Sequence, residues 1–449
     1  MSEPLEAWIE REYLHAGAAM LASVSPVGIR KVRPGFGQQI VPKRGAIVAS
    51  PVLAAYDPDP DYFFHWYRDS AIVVEALRLL FADGQHERLA DFADFVGFSL
   101  SLHELDGREL AASSVWRERI HAEFSRFVRS DAELAAVHGD AILAETRLNA
   151  DATLDISSWP RPQHDGPALR ALAVVRWTRS AALDRALATA AAQLIELDLR
   201  YTSRHWCTPC FDIWEEEKGL HYYTLCVSAA ALAEGAAWSE ARGEPETARA
   251  HRAQALAIRA QLDRYWLAER GYYRSRVLES GEPSAKELDI SVVLAALHAG
   301  RTDAAHAPAD PRVHATLHAL ERLFDAEYPI NRDRPAGRGV ALGRYAGDVY
   351  YSGGAYYFAT LAAAELCYRA AAERAPAAAE RRALTERGDA FLETVRAYTP
   401  QSGDLSEQFD RHTGAQSSAR HLAWSYAAFV TCRAARRVAV GRATTPAAN

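Results

Sequence analysis

Helical segments of two kinds alternate along the chain. Segments of the first kind carry one apolar stripe, as where Val313, Leu317, Leu320 and Phe324 recur at the spacing of successive helical turns. Segments of the second kind, such as 72–81, are apolar on nearly every side, which is typical of helices buried on most of their surface. We predict twelve helices, beginning near residues 4, 69, 86, 167, 181, 221, 244, 286, 310, 353, 377 and 417. Twelve helices of two alternating kinds indicate an inner and an outer ring.

Strand signals are sparse in this sequence. We predict one hairpin near 271–277 and short strands near 39–50, which is too little for a parallel sheet. No fixed repeat is visible, so a solenoid of near-identical units is not expected. The predicted fold class is therefore all-α.

Charge and composition limit the class of partner. Of the 449 residues, 49% are hydrophobic and 24% are charged, which is ordinary for a folded globular protein. The formal net charge is -7 and there is no long basic run, which argues against nucleic acid as the main partner. No stretch approaches the roughly 18 apolar residues of a membrane span, so we expect no membrane partner.

The N-terminus and the cysteines bear on the cellular compartment. The first ten residues are acidic and lack the basic start and apolar run of a secretory signal. We therefore expect a cytoplasmic protein, or a secreted or periplasmic one if a leader has been removed. The five cysteines are an odd number at scattered positions, which predicts buried or loop thiols rather than a disulfide framework. Cys207 and Cys210 lack the second pair that would complete a zinc site.

Five connections between helices are longer than an ordinary loop and rich in aromatic, charged, glycine and proline residues. They span residues 57–69, 149–165, 201–223, 328–354 and 399–419. If all five lie at one end of the helical rings, they would build a site there.

The first two of these loops share one chemistry. Each places a tryptophan within a few residues of an arginine and an aspartate, as Trp66, Arg68 and Asp69 show. An aromatic ring covers the apolar face of a sugar, while guanidinium and carboxylate groups bind its hydroxyls. The alternative is a structural Arg/Asp ion pair at a helix start, with the aspartate as a cap.

The third and fifth loops supply carboxylates. Glu215, Glu216 and Glu217 follow Trp214, and a carboxyl group packed against a tryptophan and other acids can keep its proton at neutral pH. Glu407 lies on a separate loop and could be the second half of a two-acid glycosidase. Either could instead be a solvated surface acid.

Five short motifs follow one another along the chain. They are Trp66-Tyr-Arg-Asp-Ser70, Trp159-Pro-Arg-Pro-Gln-His-Asp-Gly-Pro-Ala-Leu-Arg170, Asp212-Ile-Trp-Glu-Glu216, Gly343-Arg-Tyr345 with Asp348, and Ser406-Glu-Gln-Phe-Asp410. Together they closely resemble glycoside hydrolase family fifteen, the glucoamylase family, over nearly the whole chain. The resemblance implies an (α/α)6 barrel of six inner and six outer helices. It also implies an inverting, exo-acting hydrolase that releases β-D-glucose from the non-reducing ends of α-glucans or α-gluco-oligosaccharides, with glucan 1,4-α-glucosidase as the first expectation.

The resemblance also implies roles for single residues. Glu215 matches the general acid of the family and Glu407 matches its general base. The implied substrate-binding residues are Tyr62, Trp66, Arg68, Asp69, Trp159, Arg161, Asp165, Trp214, Glu216, Arg344 and Trp424. We expect a carbohydrate substrate, no cofactor and no metal. We further expect a single catalytic domain over residues 1–449, with a helical core of roughly 45–437 and no separate starch-binding domain.

The chain departs from the family pattern at the expected rim of the site. Ala346-Gly347 stands where familiar fungal members have Pro-Glu, and Gly354-Ala-Tyr356 stands where they have Asn-Pro-Trp. We expect fewer groups for the outer sugars of a long chain, and hence a preference for short oligosaccharides.

Two other functions remain open from the sequence. The nearer is an α-1,6-glucosidase of the isomaltose or dextran type, or a trehalase, on the same barrel. The remoter is a sugar epimerase or a non-catalytic carbohydrate-binding protein. An epimerase would be expected to use paired histidines as proton shuttles, and His65, His164, His205 and His221 show no such pairing in the sequence.

Overall fold

The computed structural model describes residues 3–56, 58–302, 305–373 and 377–444. Its long helices, numbered here in chain order, are α1 Leu5–Leu21, α2 Tyr67–Ala82, α3 Arg88–Leu102, α4 Asp165–Ser180, α5 Arg185–His205, α6 Tyr222–Ala241, α7 Pro245–Leu262, α8 Ser291–Ala299, α9 Pro311–Glu327, α10 Tyr357–Glu373, α11 Ala378–Tyr398 and α12 Ala423–Thr444. Shorter helices span Gly107–Ala111, Asp131–Ala135 and Pro329–Arg332. The long helices begin within six residues of the twelve predicted starts.

The even-numbered helices form a closed inner ring. Going round the ring, α2 packs on α4, α4 on α6, α6 on α8, α8 on α10, α10 on α12, and α12 again on α2. These helices are buried over most of their length, in line with apolar runs such as 227–233 in α6 and 359–366 in α10. The predicted inner ring of an (α/α)6 barrel is therefore confirmed.

The odd-numbered helices form the outer ring. Helices α3, α5, α7, α9 and α11 each pack on the inner helix that precedes them, and α1 packs on α12. An outer helix needs only one apolar face, as α5 shows with Ala191, Leu194, Ile195 and Leu199 buried on one stripe. Helix α1 lies outside the range 45–437 that the sequence suggested for the helical core, yet it supplies the sixth outer position.

Capping residues fix several of the helix ends. Asp184 and Asp310 precede α5 and α9, and each side chain accepts a hydrogen bond from a backbone N–H of the first turn. Pro311 occupies the first turn of α9, where no N–H partner is needed. Gly300 ends α8 in the left-handed conformation, with φ of 63°.

The strands are short and tie neighbouring loops together. They are β1 Lys31–Arg33, β2 Gln38–Ile40, β3 His65–Trp66, β4 Arg147–Leu148, β5 Cys210–Phe211, β6 Lys218–His221, β7 Trp266–Leu267, β8 Tyr272–Tyr273, β9 Arg276–Leu278, β10 Ala355–Tyr356, β11 Gln408–Phe409 and β12 Gln416–Ser417. The pairings are all antiparallel and join β1 to β2, β3 to β4, β5 to β6 and β6 to β9, β7 to β8, and β10 to β11 and β11 to β12. The hairpin lies earlier in the chain than the predicted position near 271–277. Strand β8 pairs with the preceding strand β7, and β9 pairs with β6 instead of β8.

Two further sequence-based expectations concern membranes and thiols. None of the helices in the part of the chain that the structure describes is both long and apolar enough to cross a membrane. All five cysteines are free thiols, and four of them are buried.

Candidate active site

The five long loops meet at the end of the barrel where the inner helices begin. They surround a cavity of about 390 Å³. Its walls are formed by Ala49, Tyr62, Trp66, Arg68, Asp69, Ser158, Trp159, Pro160, Ile213, Trp214, Glu215, Glu216, Arg344, Tyr350, Phe358, Glu407, Leu422 and Trp424. Every one of the five loops contributes to this list, so the predicted gathering of the loops is confirmed.

Three nitrogen donors hold the carboxylate of Glu215. The indole Nε1 of Trp66 donates to Oε1 at 2.9 Å, and Nη2 of Arg68 donates to the same oxygen at 3.1 Å. The indole Nε1 of Trp159 donates to Oε2. The backbone of Glu215 is left-handed, with φ of 65°, an unusual conformation for a residue other than glycine. The loop therefore adopts a strained turn that presents this side chain to a fixed set of donors.

Glu407 lies in the same cavity, on the fifth loop and immediately before β11. Its backbone is fixed by bonds from its own N–H to Ala419 and from the N–H of Tyr357 to its carbonyl. The hydroxyl of Ser418 donates to Oε2. Burial raises the pKa of Glu407 to about 7, although the bond from Ser418 and the charge of Arg344 act in the opposite direction.

Arg68 lies among three carboxylates. Its Nη2 is 3.3 Å from Asp69 Oδ2 and 3.1 Å from Glu215 Oε1, and its Nη1 is 3.6 Å from Asp165 Oδ2. Burial raises the pKa of Asp69 and of Asp165 to about 6 in each case, against the opposing charge of Arg68. The single positive charge of Arg68 thus faces three carboxylates, and the ionisation of each carboxylate disfavours the ionisation of the others.

Stacked aromatic rings close the floor of the cavity. The rings of Phe358 and Trp424 lie 4.4 Å apart at 10°, and Trp214 lies 6.1 Å from Phe358 at 22°. The indole Nε1 of Trp214 donates to Asp289 Oδ2 at 2.8 Å. The sequence suggested Trp214 as the partner of the acid, but the hydrogen bonds to Glu215 come from Trp66, Arg68 and Trp159.

A second set of donors surrounds Glu216. Oε1 accepts from Arg344 Nη2 at 3.1 Å and from the hydroxyl of Tyr345 at 2.7 Å, while Oε2 accepts from Lys286 Nζ at 2.7 Å. Arg344 is in turn held by Asp348, with bonds of 2.7 and 2.6 Å. Glu216 is thereby fixed in one orientation on the cavity wall.

Eleven of the thirteen predicted site residues line the cavity. The two others, Asp165 and Arg161, do not. Asp165 is buried, and its Oδ2 lies 3.6 Å from Nη1 of Arg68. Arg161 donates to Glu145 at 2.6 Å and to Asp155 at 3.1 Å, so its guanidinium belongs to a buried ion-pair network instead of the cavity wall.

Several residues at the site were missed by the sequence interpretation. Tyr350 lines the cavity and its hydroxyl lies 2.7 Å from that of Tyr62. The connection 263–290, which leads into α8, supplies Lys286 and Asp289 although it was not among the five loops singled out. The aromatic residues of this connection, Tyr265, Trp266, Tyr272 and Tyr273, all precede Lys286 and Asp289, so no aromatic motif marked these two positions.

The structure also corrects the reasoning about the rim. Tyr356 was expected to replace a larger ring at the outer sugar sites, but its side chain is fully buried. Its hydroxyl donates to Asp348 at 3.2 Å and accepts from Gln408 at 2.7 Å. Tyr356 therefore supports Asp348, which binds Arg344, and strand β11 beside Glu407, and it cannot contact an outer sugar. Ala346 and Gly347 are exposed, as expected of rim residues.

Within residues 3–56, 58–302, 305–373 and 377–444, no group of three or more His, Cys, Asp or Glu side chains is positioned to hold a metal ion. The polar groups of the cavity are carboxylates, guanidiniums, indoles and phenols, which are the groups that bind sugars.

Residues 140–434, which include most of the cavity wall, match the sequence model of the family described as glycosyl hydrolases family 15. The chain belongs to glycosyl hydrolases family 15. It is therefore a glycosidase with a carbohydrate substrate.

Family 15 relatives cover the chain broadly at modest identity. Glucoamylase 1 of Rhizopus oryzae is 27% identical over 96% of this chain and 71% of the relative. The glucoamylase of Neurospora crassa is 29% identical over 88% of this chain and 64% of the relative. The chain thus spans about two thirds of the length of these two relatives.

A solved structure in family 15 has the same fold. The family 15 glucoamylase from Hypocrea jecorina superimposes with a TM-score of 0.79, at 26% identity, over 99% of this chain and 76% of that chain. The likeness supports the barrel architecture described above.

Proposed function

We propose that the protein is an inverting, exo-acting α-glucosidase that releases β-D-glucose from the non-reducing ends of α-1,4-linked glucans or oligosaccharides. Glu215 is the general acid and Glu407 the general base. The supporting observation is that these two carboxylates, from loops far apart in sequence, line one cavity together with tryptophan, arginine and aspartate side chains.

The two acids have different hydrogen-bond partners. Glu215 transfers its proton to the glycosidic oxygen as the bond to C1 breaks, and the N–H groups of Trp66, Arg68 and Trp159 stabilise the carboxylate that forms. Glu407 takes a proton from the water whose oxygen attacks C1 from the opposite face. A base with a pKa of about 7 is well matched to this task near neutral pH.

The shape of the site favours removal of single units from a chain end. The rings of Trp214, Phe358 and Trp424 stack at the floor, so a glucan chain has no path through the cavity. Arg68 and Asp69, beside Glu215, are placed to bind the hydroxyls of a terminal sugar. The names of the family 15 relatives, which are glucoamylases, support an α-1,4-linked substrate.

Amide substitutions test the two assignments. Glu215→Gln and Glu407→Gln preserve shape but remove proton transfer, so each should lower kcat on maltose roughly 100-fold to 10,000-fold. Glu217→Gln is the matched control, because Glu217 is bound to Arg276 and Ser284 and does not line the cavity. If either cavity variant kept the activity of the unchanged protein while correctly folded, the corresponding role would be wrong.

We also propose that the twelve helices form a single catalytic domain and that the protein works in a reducing compartment such as the cytoplasm. Free thiols persist where disulfides are reduced, and all five cysteines here are free.

A further inference from the structure

Behind the cavity wall, positive side chains alternate with aromatic rings. The guanidinium carbon of Arg33 lies 3.7 Å from the ring centre of Phe64, and that of Arg147 lies 4.0 Å from the same ring. Arg147 also lies 3.6 Å from the ring centre of Trp159. We call Arg33, Phe64, Arg147 and Trp159 the cation–ring column. Its last member is a hydrogen-bond donor to Glu215.

Arg147 contacts both of the tryptophans that bind Glu215. Besides Trp159, it lies 5.0 Å from the ring centre of Trp66, and the two residues face each other in the β3–β4 pair. Trp66 donates to one oxygen of Glu215 and Trp159 to the other. One buried guanidinium therefore joins the two indoles that together fix the plane of this carboxylate.

Arg147 is itself firmly held. Its side chain is buried, its Nε donates to Asp155 at 2.9 Å, and its Nη2 donates to the hydroxyl of Ser157 at 3.1 Å. Asp155 binds Arg161 as well, at 3.1 Å. Burial alone would raise the pKa of Asp155, but Arg147 and Arg161 hold it below its usual range. A charged pair of this kind gives Arg147 one position rather than several.

We propose that Arg147 is a positioning residue for acid catalysis, which acts by holding the indoles of Trp66 and Trp159 against Glu215. A cation against the face of an indole attracts the ring and polarises its N–H, so it fixes both the direction and the strength of the hydrogen bond. The inference rests on the proposed role of Glu215. It predicts that Arg147 affects the step in which the leaving oxygen is protonated more than it affects other steps.

The chain offers a closely matched control in Arg129. Arg129 is also buried and binds Glu145, which Arg161 binds too. Arg147→Met and Arg129→Met therefore each remove one of two arginines from a buried carboxylate and leave Arg161 in place. Of the two arginines, only Arg147 contacts the two tryptophans. A loss of stability is therefore expected in both variants, whereas a loss specific to acid catalysis is expected only in Arg147→Met.

Two substrates separate acid catalysis from the other steps. Maltose needs protonation of its leaving oxygen, whereas fluoride leaves α-D-glucosyl fluoride with little help from an acid. In Arg147→Met we expect kcat on maltose to fall roughly 10-fold to 100-fold, with a much smaller loss on the fluoride. Arg129→Met should change both rates by the same small factor. Arg147→Lys, which retains the charge, should recover part of the maltose rate.

The outcomes separate the inference from the proposed function. If Glu215→Gln keeps full activity on maltose, the assignment of the acid fails and the inference fails with it. If Glu215→Gln is inactive on maltose but Arg147→Met and Arg129→Met lose equally on both substrates, only the inference is overturned.

A second variant tests the inference if Arg147→Met does not fold. Far-ultraviolet circular dichroism shows whether each variant is folded, and if Arg147→Met is not, Phe64→Leu replaces it. This neutral change removes the ring between Arg33 and Arg147, and it should lower the maltose rate more than the fluoride rate. If Phe64→Leu lowered both rates by the same factor relative to the unchanged protein, the inference would be overturned.

Discussion

The hydroxyl of Ser418 donates a hydrogen bond to Oε2 of Glu407 inside the cavity. The bond stabilises the ionised carboxylate, whereas burial favours the protonated form and raises the pKa of Glu407 to about 7. A general base must be ionised, so activity should be lost as the pH falls through this value. Ser418 therefore extends the active range toward lower pH.

Removing the hydroxyl in Ser418→Ala should shift the acidic limb of the kcat/KM profile upward by roughly half to one pH unit. Ser417→Ala is the control, because the hydroxyl of Ser417 binds Ser352 instead of Glu407. Profiles on maltose between pH 4 and 9 give the comparison. An unmoved acidic limb in Ser418→Ala would mean that another group limits activity at low pH.

Much of the site could be predicted because family motifs fix residues in the loops. Glu215, Glu407, Trp66, Arg68, Asp69 and Trp159 line the cavity as expected. The Trp66 and Trp159 motifs each run into the start of an inner helix, and the apolar sequence sets that start. Arg161 belongs to the Trp159 motif, but its guanidinium binds Glu145 and Asp155 instead of lining the cavity. The sequence does not show that these two acids lie beside it.

Other features depend on contacts between distant segments and could not be predicted. Arg147 lies in a two-residue strand without periodicity, and its role follows only from the packing of Phe64, Trp66 and Trp159 around it. Tyr356 occupies a position that the family resemblance places near the rim, but its burial depends on how β10 pairs with β11. Neither residue type nor spacing contains this information.

A buried carboxylate on α1 should make stability depend on pH. Glu12 is fully buried, and neither of its oxygens has a hydrogen-bond partner among the described residues. Burial raises the pKa of Glu12 to about 7, with Arg11 opposing the shift and Asp404 adding to it. Because the folded state favours the protonated form, the contribution of Glu12 to stability should be greatest at low pH. It should fall as the pH rises from the unfolded value of 4.5 through about 7.

Glu12→Gln removes this ionisation and should reduce the stability difference between pH 5 and pH 8.5 by an amount on the order of 1 to 3 kcal/mol. Urea unfolding at the two pH values measures it, and Glu104→Gln, at an exposed position, is the control. The same difference in Glu12→Gln and in the unchanged protein would show that Glu12 is ionised in the folded state.

The stereochemistry of the product tests the inverting mechanism. A base that activates water must stand back from the sugar, so the carboxyl groups of Glu215 and Glu407 should be roughly 6.5 to 9.5 Å apart with substrate bound. Proton NMR in the first minutes of maltose hydrolysis should show β-glucose before mutarotation. Initial α-glucose would instead indicate a covalent intermediate and a retaining enzyme.

The linkage preference separates the proposed activity from its relatives on the same barrel. Arg344, Tyr345 and Lys286 hold Glu216 in one orientation, which favours one placement of the second sugar relative to the first. Glucose release should be fastest from maltose, slower from isomaltose and slowest from trehalose. A faster rate on isomaltose or trehalose would assign the protein to the α-1,6-glucosidase or trehalase alternative.

Preference for chain length depends on the side chains at the rim of the cavity, and the structure changes which of them can contact an outer sugar. Tyr356 is buried and Ala346 and Gly347 offer no side chain for stacking, so the inner part of the rim is poor in contacts for an outer sugar. Next to the cavity residue Tyr350, Tyr351 is 40% exposed, and the two ring centres lie 4.8 Å apart. We expect this partly exposed ring to contact a third or fourth sugar.

We expect kcat/KM to rise from maltose to an oligosaccharide of about four units and then to level off, because a single aromatic contact contributes roughly 0.5 to 1.5 kcal/mol. Rates on the series from maltose to maltoheptaose measure this. Tyr351→Ala should reduce the gain beyond maltose and leave the maltose rate unchanged, whereas Leu256→Ala, at an exposed position on the outer helix α7, should affect neither. A steady rise up to seven units would mean that further loops bind the outer sugars and that the rim is richer in contacts than its exposed side chains indicate.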